Sequence, residues 1–323
     1  NFEERAYMVS RIAGVDAVTR VTDSSVAALG QTMQDINAQC HVVTINDACE
    51  QTRQMCDSLG VRYETLVMED LHGPAGADTP ADCPRRSDPL RMQYRLCLAG
   101  GWLDQPWVSK IAPGSVVVVS LEPITQYMDK AGMATSTRRM ARAIWGERIP
   151  SGDPELVGKI LFGAENPPGA QYVSGSQDCL GLTLPGFNRL NYDGAYWPES
   201  IDSHLDEATA AWFESVVHLI PMFPRPEGYN PLDEQRLDAA WIWRLGASGD
   251  IAFEACCQRD TEKLGWAVSE TCAGYKALFP GTVPPAVEAE MAPYKDRTLG
   301  MNITGAGGGG YIIAVSETPI EGA

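Results

Sequence analysis

The sequence predicts an α+β protein with two lobes, preceded by a small truncated α/β segment of Rossmann-like type. Its 323 residues exceed the roughly 250–300 residues at which single cores stop growing, so more than one compact unit is expected. Residues 1–70 alternate between strand-like and helical patterns, which indicates a small α/β unit. From about residue 92 the pattern changes to strands and long helices, after a segment rich in Gly and Pro.

The alternation in residues 1–70 defines five elements. Strand-like runs occur at VDAVTRVT, CHVVTI and VRYETLVM. Helical runs occur at SSVAALGQTMQDINAQ, where Ser24 is available as a cap, and at DACEQTRQMCDSLG, which Gly60 closes. This β-α-β-α-β order predicts a small parallel sheet.

Residues 71–91 are dense in Pro, Gly, Ala and Asp, which is the composition of a linker. A long surface loop is the alternative. The predicted organisation is therefore an α/β segment at 1–70, a linker, and a main domain at 92–323. The two lobes of that domain are expected at about 92–200 and about 201–323.

Three helices are predicted in the main domain. The first begins at Pro154, because Asp153 is a good N-cap and proline is favoured at the first helical position. Amphipathic patterns predict a second helix over 200–220 and a third over 232–260.

The charge balance excludes some classes of partner. The chain carries 25 basic and 42 acidic residues, a net charge of −17. Nonspecific binding to nucleic acid or to anionic membranes depends on Lys and Arg, so neither is expected. A small phosphorylated ligand held locally stays open. No apolar run approaches the roughly 20 residues that a membrane span needs.

The cysteines and histidines bear on compartment and metal binding. Nine cysteines, an odd number without a CxxC pair, indicate reduced thiols and a reducing compartment. We therefore expect a cytoplasmic protein, and an organelle matrix fits equally well. The four histidines are scattered without metal-ligand spacing, so a structural zinc site is not expected.

The stretch YRLCLAGGWLDQPWVS, residues 94–109, is the first of four that carry chemistry. A strand delivers Arg95 and ends in Gly100 and Gly101, with Asp104 shortly after. Taken alone, two glycines at a strand end more often mark a plain turn.

The second stretch is AGMATSTRRMARAIWG, residues 131–146, where small residues lead into a helical run. The first turn of a helix leaves backbone N–H groups free, so small residues there let a phosphate approach. A plain Ser/Thr cap is the commoner alternative. Arg138 and Arg139 are unusual at this end, because the helix dipole disfavours cations, and they favour an anion nearby.

The other two stretches lie further along the chain. Asp178 follows a Ser/Gly turn in YVSGSQDCLGLTLPG, and capping of the next helix is the alternative role. Near the C-terminus, GMNITGAGGGGYIIAV places the glycines 307–310 directly before a strand. Glycine is tolerated there if the backbone needs positive φ or a ligand lies close.

In this order the four stretches resemble the motifs of the GHMP kinases, which include galactokinase, mevalonate kinase, fucokinase and heptose kinases. RLCLAGGWLDQP resembles the first motif, closest to its fucokinase and heptose kinase form, and GMATSTR is similar to the phosphate-binding second motif. SGSQD matches the segment with the catalytic aspartate, and NITGAGGGGYIIAV is similar to the third motif. The match spans about residues 92–317.

The resemblance implies roles for particular residues. Asp178 would accept the proton of the sugar hydroxyl, and Arg95 would polarise that hydroxyl or the transferred phosphoryl group. Ser136 and Glu165 would bind Mg²⁺ through oxygen atoms. The residues that would contact ATP are Gly132, Ala134, Thr135, Ser136, Thr137, Gly305, Gly307 and Gly308. Those that would contact the sugar are Asp104, Trp102 and Gly309.

Three positions depart from the motifs. Ala134 stands where glycine is common, Arg138 replaces a small residue, and Asn302 stands where lysine is frequent. These departures put catalytic efficiency in doubt more than fold.

The leading hypothesis is therefore an ATP-dependent sugar kinase with its site between the lobes, acting on an anomeric hydroxyl of a fucose- or heptose-type sugar. An inactive GHMP-fold subunit is the alternative, and a decarboxylase acting on a diphospho-acid is a third reading. Residues 1–70 also resemble part of a cytidylyltransferase-like domain, with residues 2–21 similar to its later half. The half with the HxGH motif would lie upstream, so no nucleotidyltransferase activity is expected from this segment.

Overall fold

The computed structural model divides the chain into two compact units, Asn1–Ser87 and Asp88–Ala323, and each is described by itself. The residues that the structure describes are 31, 40–44, 50–66, 92–122, 132–146, 148–170 and 172–320. Residues 2–21, most of the helix predicted after Ser24 and the predicted linker at 71–91 lie outside the described residues. The predicted domain boundaries stay predictions.

The first unit contains one strand-helix-strand element in its described part. Strand β1 (Cys40–Thr44) and strand β2 (Arg62–Leu66) pair in parallel, and helix α1 (Glu50–Leu59) lies between them in the chain. Gly60 follows the helix with a φ of +69°, the left-handed conformation that glycine adopts without strain. These three elements agree with the predicted pattern, while the wider Rossmann-like segment stays a prediction.

A four-stranded antiparallel sheet forms the first half of the second unit. Its strands are β3 (Tyr94–Ala99), β4 (Gly114–Leu121), β5 (Phe187–Tyr192) and β6 (Ser200–His204), in that spatial order. All six residues of β3 are buried. The functional side chains of this strand are therefore held inside the protein.

A three-stranded antiparallel sheet forms the second half. Strand β7 (Val217–Pro221) and strand β8 (Gly300–Ile303) flank the central strand β9 (Tyr311–Val315). β9 is buried throughout, as its apolar, β-branched sequence leads one to expect.

Eight α-helices connect and cover the sheets of the second unit within its described residues. They are α2 (Pro106–Ser109), α3 (Thr135–Trp145), α4 (Pro154–Glu165), α5 (Gln177–Thr183), α6 (Glu207–Val216), α7 (Ala239–Gln258), α8 (Thr261–Leu278) and α9 (Pro285–Met291). The predicted start of α4 is confirmed: the Asp153 side chain accepts hydrogen bonds from the N–H groups of Glu155 and Leu156 at 2.9 and 3.4 Å.

Two predicted helices are wrong in extent. Residues 200–220 form β6, α6 and β7 rather than one helix, because Asp206 caps a new helix and the flanking segments pair with other strands. Residues 232–238 precede α7, which begins after the Asp238 side chain accepts a hydrogen bond from the N–H of Trp241 at 3.0 Å.

One buried apolar cluster contains residues from both sheets of the second unit. Leu96 and Val117 of the first sheet, Ile313 and Val315 of the second, and Val268 of α8 belong to it. The predicted α+β class is confirmed. Among the described residues, we find no helix that is both long and apolar enough to cross a membrane.

Candidate active site

Arg95 and Asp178 form an ion pair between β3 and the first turn of α5. Nη2 of Arg95 donates to Oδ1 of Asp178, and the arginine is 3% exposed. Burial by itself would lower the pKa of Arg95, but the charge and hydrogen bond of Asp178, together with the charges of Cys97 and Tyr275, outweigh it and the pKa is raised. The structure thus brings the two predicted catalytic residues together. Asp178 is not the cap of α5, because Ser176 occupies that position.

Gly181 gives Arg95 the space that this pair requires. A Cβ at this position, in the middle of α5, would overlap Cγ of Arg95. Glycine inside a helix is unfavourable by about 1 kcal/mol relative to alanine, so the residue has a packing reason to be there.

Asp104 lies in the loop after β3 and is 2% exposed. Its Oδ1 accepts a hydrogen bond from Nε2 of Gln177 at 3.0 Å. A Cβ at Gly175 would overlap the same carboxylate. Burial, together with the charge of Asp178, raises the pKa of Asp104 to about 7. The two aspartates are therefore held close enough for their charges to interact.

Glu165, at the end of α4, faces the start of α3. The Thr137 hydroxyl lies 2.8 and 2.9 Å from Oε1 and Oε2 of Glu165. Burial, and then the charge of Asp178, raise the pKa of Glu165 to about 7, while the hydroxyls of Thr137 and Ser136 oppose the shift. Carboxylate and hydroxyl oxygens are the ligands that Mg²⁺ prefers, so this donor set fits that ion.

The start of α3 is shaped by two unusual backbone positions. Ala134 precedes the helix with a φ of +56° and supplies no side-chain cap. Gly132 has a φ of +96°, and a Cβ there would overlap the Thr304 hydroxyl. A Cβ at Gly305 would lie 2.9 Å from the Gly132 carbonyl oxygen. The second and third sequence motifs are therefore in direct contact.

The remaining glycines of the third motif pack against the protein itself. The N–H groups of Gly307, Gly308 and Gly310 donate to the carbonyl oxygens of Thr304, Thr282 and Phe223 at 3.3, 2.9 and 3.0 Å. A Cβ at Gly308 would overlap the ring of Tyr229, and one at Gly309 would lie 2.6 Å from the Phe223 carbonyl oxygen. Protein contacts alone account for these glycines, and their predicted contacts with ATP and sugar stay predictions.

Trp102 occupies the interior of the domain. It is 9% exposed, its ring centroid lies 4.8 Å from that of Phe279, and its φ is +78°. Positive φ is an outlier for so bulky a residue. The preceding glycines are also explained by packing, since a Cβ would overlap the Ser115 carbonyl at Gly100 and the Tyr275 hydroxyl at Gly101. Stacking of Trp102 on a sugar stays a prediction.

Arg138 is buried and donates hydrogen bonds to the backbone that precedes β3. Its Nε and Nη2 donate to the carbonyl oxygens of Gln93 and Met92 at 2.7 and 2.9 Å, and it is 4% exposed. Its guanidinium carbon lies 3.5 Å from the ring centroid of Tyr94. The charge of Arg138 therefore ties α3 to the segment before β3.

Several contacts of the site were not predicted from the sequence. Gln177 holds Asp104, Thr137 holds Glu165, and Gly175 and Gly181 make room for the aspartate and the arginine. A glycine inside a predicted helix was the available signal for Gly181. Among the described residues, no cluster of three or more His, Cys, Asp or Glu side chains could hold a metal ion. A bound Mg²⁺ would therefore need phosphate or water oxygens as well.

No family model matches the chain. A segment of 57 residues is 49% identical to the L-fucokinase/L-fucose-1-P guanylyltransferase of Bacteroides fragilis. The segment is 18% of this chain and 6% of that protein, so the chain matches only a small part of its curated relative.

Among solved structures, a mevalonate kinase aligns with 71% of this chain and 91% of its own, at 11% identity and a TM-score of 0.49. A D-glycero-D-manno-heptose 1-phosphate kinase from Bacteroides thetaiotaomicron aligns with 70% of this chain and 87% of its own, at 14% identity and a TM-score of 0.39.

Proposed function

We propose that this chain is an ATP-dependent kinase that transfers the γ-phosphoryl group to a sugar hydroxyl, with an anomeric hydroxyl of a fucose- or heptose-type sugar as the acceptor. The observation that carries the proposal is the ion pair of the buried Arg95 with the partly buried Asp178, whose charges act on both Asp104 and Glu165. Phosphoryl transfer depends mainly on positioning of the reactants and on stabilisation of charge. Fixed charged side chains of this kind suit both requirements.

The chemistry assigns one task to each group. Asp178 accepts the hydroxyl proton as the sugar oxygen attacks the γ-phosphorus, and the bond from that phosphorus to the β-phosphate oxygen breaks. Arg95 stabilises the negative charge that develops between them. Asp104, fixed by Gln177, binds sugar hydroxyls. An anomeric hydroxyl is more acidic than an ordinary alcohol, which suits a carboxylate base.

Ser136, Thr137 and Glu165 would hold Mg²⁺ at the start of α3. When bound, the ion would neutralise charge on the phosphates of ATP. Thr137 fixes the Glu165 carboxylate, and Ser136 is exposed on the first turn of the helix.

The proposal is tested by ADP release with Mg-ATP across a panel of free sugars and sugar phosphates. We expect sugar-dependent release in the native chain and a loss of about 10³-fold in kcat for Asp178→Asn, because removal of a positioned proton acceptor costs 10²–10⁴-fold. Asp296→Asn, at an exposed position, is the matched control and should retain native activity.

A folded native chain that releases no ADP with any sugar would refute the kinase and favour the inactive subunit. One observation favours that second candidate: Gly307, Gly308 and Gly310 already donate their N–H groups within the protein. Thermal unfolding of each variant checks that lost activity is not lost structure.

A further inference from the structure

A segment between β7 and α7, residues 222–230, lies along the glycine loop of residues 304–310. The N–H of Met222 donates to the Gly310 carbonyl oxygen at 2.8 Å, and the N–H of Gly310 donates to the Phe223 carbonyl oxygen at 3.0 Å. We call residues 222–230 the strap. Its backbone is thus anchored to the last glycine before β9.

The strap fits the loop closely at its other end. The Tyr229 hydroxyl donates to the Ala306 carbonyl oxygen at 2.7 Å, and the Tyr229 ring fills the space beside Gly308. Because a side chain at Gly308 would overlap that ring, the loop and the strap are packed as one unit.

Arg225 sits between these two anchors. Its Nε donates to the Gly307 carbonyl oxygen at 2.7 Å, and its guanidinium carbon lies 5.7 Å from the Tyr229 ring centroid. A guanidinium has five N–H donors in a fixed fork, so this bond leaves four of them for another acceptor. No ion pair of Arg225 occurs in the part of the chain that the structure describes.

The charge of Arg225 interacts with the catalytic pair. Burial lowers the pKa of Arg225, the negative charges of Tyr229 and then Asp178 oppose that shift, and the positive charge of Arg95 adds to it. Arg225 therefore lies within electrostatic range of the catalytic pair, while its hydrogen bond holds it at Gly307 of the glycine loop. Arg225 lies outside the four sequence stretches that resemble kinase motifs.

We propose that Arg225 is a second cation of the phosphoryl-transfer site, which binds oxygens of the γ-phosphoryl group from the side of the glycine loop. This inference rests on the proposed kinase function. During transfer the negative charge spreads over the three equatorial oxygens of the phosphoryl group, and a planar guanidinium can bind two oxygens at once. Arg225 forms and breaks no covalent bond; Asp178 takes the hydroxyl proton and ADP leaves.

The test compares Arg225→Gln with two other variants of the same connection in steady-state ADP release. We expect Arg225→Gln to lower kcat by about 10²-fold or more. Arg236→Gln removes an exposed arginine paired with Glu234 and should leave kcat unchanged. Tyr229→Phe removes one hydrogen bond to the loop and should change kcat only a few-fold.

Rescue separates a charge role from a structural one. In Arg225→Ala, added guanidinium ion should restore part of kcat, because a free guanidinium can occupy the space left by the side chain. If Arg225→Gln and Tyr229→Phe lose the same activity and guanidinium restores none, Arg225 only holds the loop and the inference is wrong.

A binding measurement keeps this inference separate from the proposed function. Titration of the full chain with MgATP and MgADP should show that Arg225→Gln weakens ATP binding about 10-fold and leaves ADP binding unchanged. If the native chain turns over no sugar, the proposed function fails, yet the same titrations still decide the role of Arg225. An equal change for both nucleotides, or binding of neither by the native chain, overturns it.

Discussion

Around Asp178 the candidate site is made of side chains, whereas around the loop of residues 304–310 it is made of backbone. Arg95 and Asp104 are fixed by an ion pair and a hydrogen bond, with Gly181 and Gly175 leaving room for them. Neither of these two glycines has a positive φ. Each is required only because a neighbouring functional side chain takes the space of its Cβ.

The glycines of the loop are required for two reasons at once. Gly305, Gly307 and Gly308 have φ values of +58°, +75° and +71°, a region that costs other residues roughly 1–2 kcal/mol each. Their Cβ positions also meet protein atoms, among them the Gly132 carbonyl and the Tyr229 ring. A substitution near Asp178 should therefore impair chemistry more than folding, and one in the loop should impair both.

Among the glycine substitutions, Gly181→Ala should have the largest effect on kcat. The added methyl group would overlap Cγ of Arg95 and move the guanidinium away from Asp178. We expect kcat for sugar-dependent ADP release to fall by about 10²-fold or more. The free energy of unfolding should fall by about 1–3 kcal/mol, the usual cost of overpacking a core.

Gly163→Ala is the matched control for that variant. Gly163 lies in the helix α4, and nothing is found within 4 Å of its Cβ position. The change should leave kcat unaltered and raise stability by up to about 1 kcal/mol, since alanine favours a helix. Equal activity of the two variants would mean that the position of Arg95 does not matter for the reaction.

Gly132→Ala tests the backbone side of the comparison. It adds a strained φ of +96° to an overlap with Thr304, so we expect a loss of about 2–3 kcal/mol in the free energy of unfolding. Nucleotide binding should weaken as well, because the start of α3 would shift. Denaturant unfolding and ATP titration measure the two effects.

Gly146→Ala separates strain from overlap. Gly146 has a φ of +73° and an open Cβ position, so the change should cost about 1 kcal/mol. If Gly132→Ala costs no more than Gly146→Ala, the contact between the second and third motifs contributes nothing to stability.

Local signals in the sequence were enough for part of the fold. The Asp153 cap, the helix after the small residues 132–134 and the strand after the glycine run all depend on neighbours in the chain. The prediction of one helix over residues 200–220 failed because an amphipathic pattern does not reveal that Ser200–His204 pairs with β5. Pairing with a distant strand decides such a segment, and a single sequence does not contain that partner's position.

Some residues of the candidate site could likewise be predicted from the sequence, and others could not. Arg95 and Asp178 could be found because their motifs place them in a known order, but the tasks of Gln177 and Gly181 depend on residues 73 and 86 positions away. The glycine run predicts that a ligand or another part of the protein lies close to it. In the structure the strap, residues 222–230, lies against this run. Nothing in the sequence of the strap indicates this contact.

The pH dependence of stability tests the side-chain region around Asp178. Burial raises the pKa of Asp104 from 3.8 in the unfolded chain to about 7. Between these values the folded protein keeps a proton that the unfolded chain has released, so this contribution to stability is complete below pH 3.8 and is lost as pH rises through about 7. One such group changes the free energy of unfolding by at most about 1.4 kcal/mol per pH unit.

Asp104→Asn removes this titration while an amide oxygen remains to accept from Gln177. Between pH 5 and pH 8 we expect the native chain to lose stability relative to this variant, as measured by urea unfolding at each pH. Asp296→Asn, exposed and distant in the chain, should give a curve parallel to the native one. If the Asp104→Asn curve is parallel too, the carboxylate is ionised throughout this range. Asp104 and Asp178 would then both be negatively charged in the same region. The positive charge of Arg95 would stabilise two carboxylates rather than Asp178 alone.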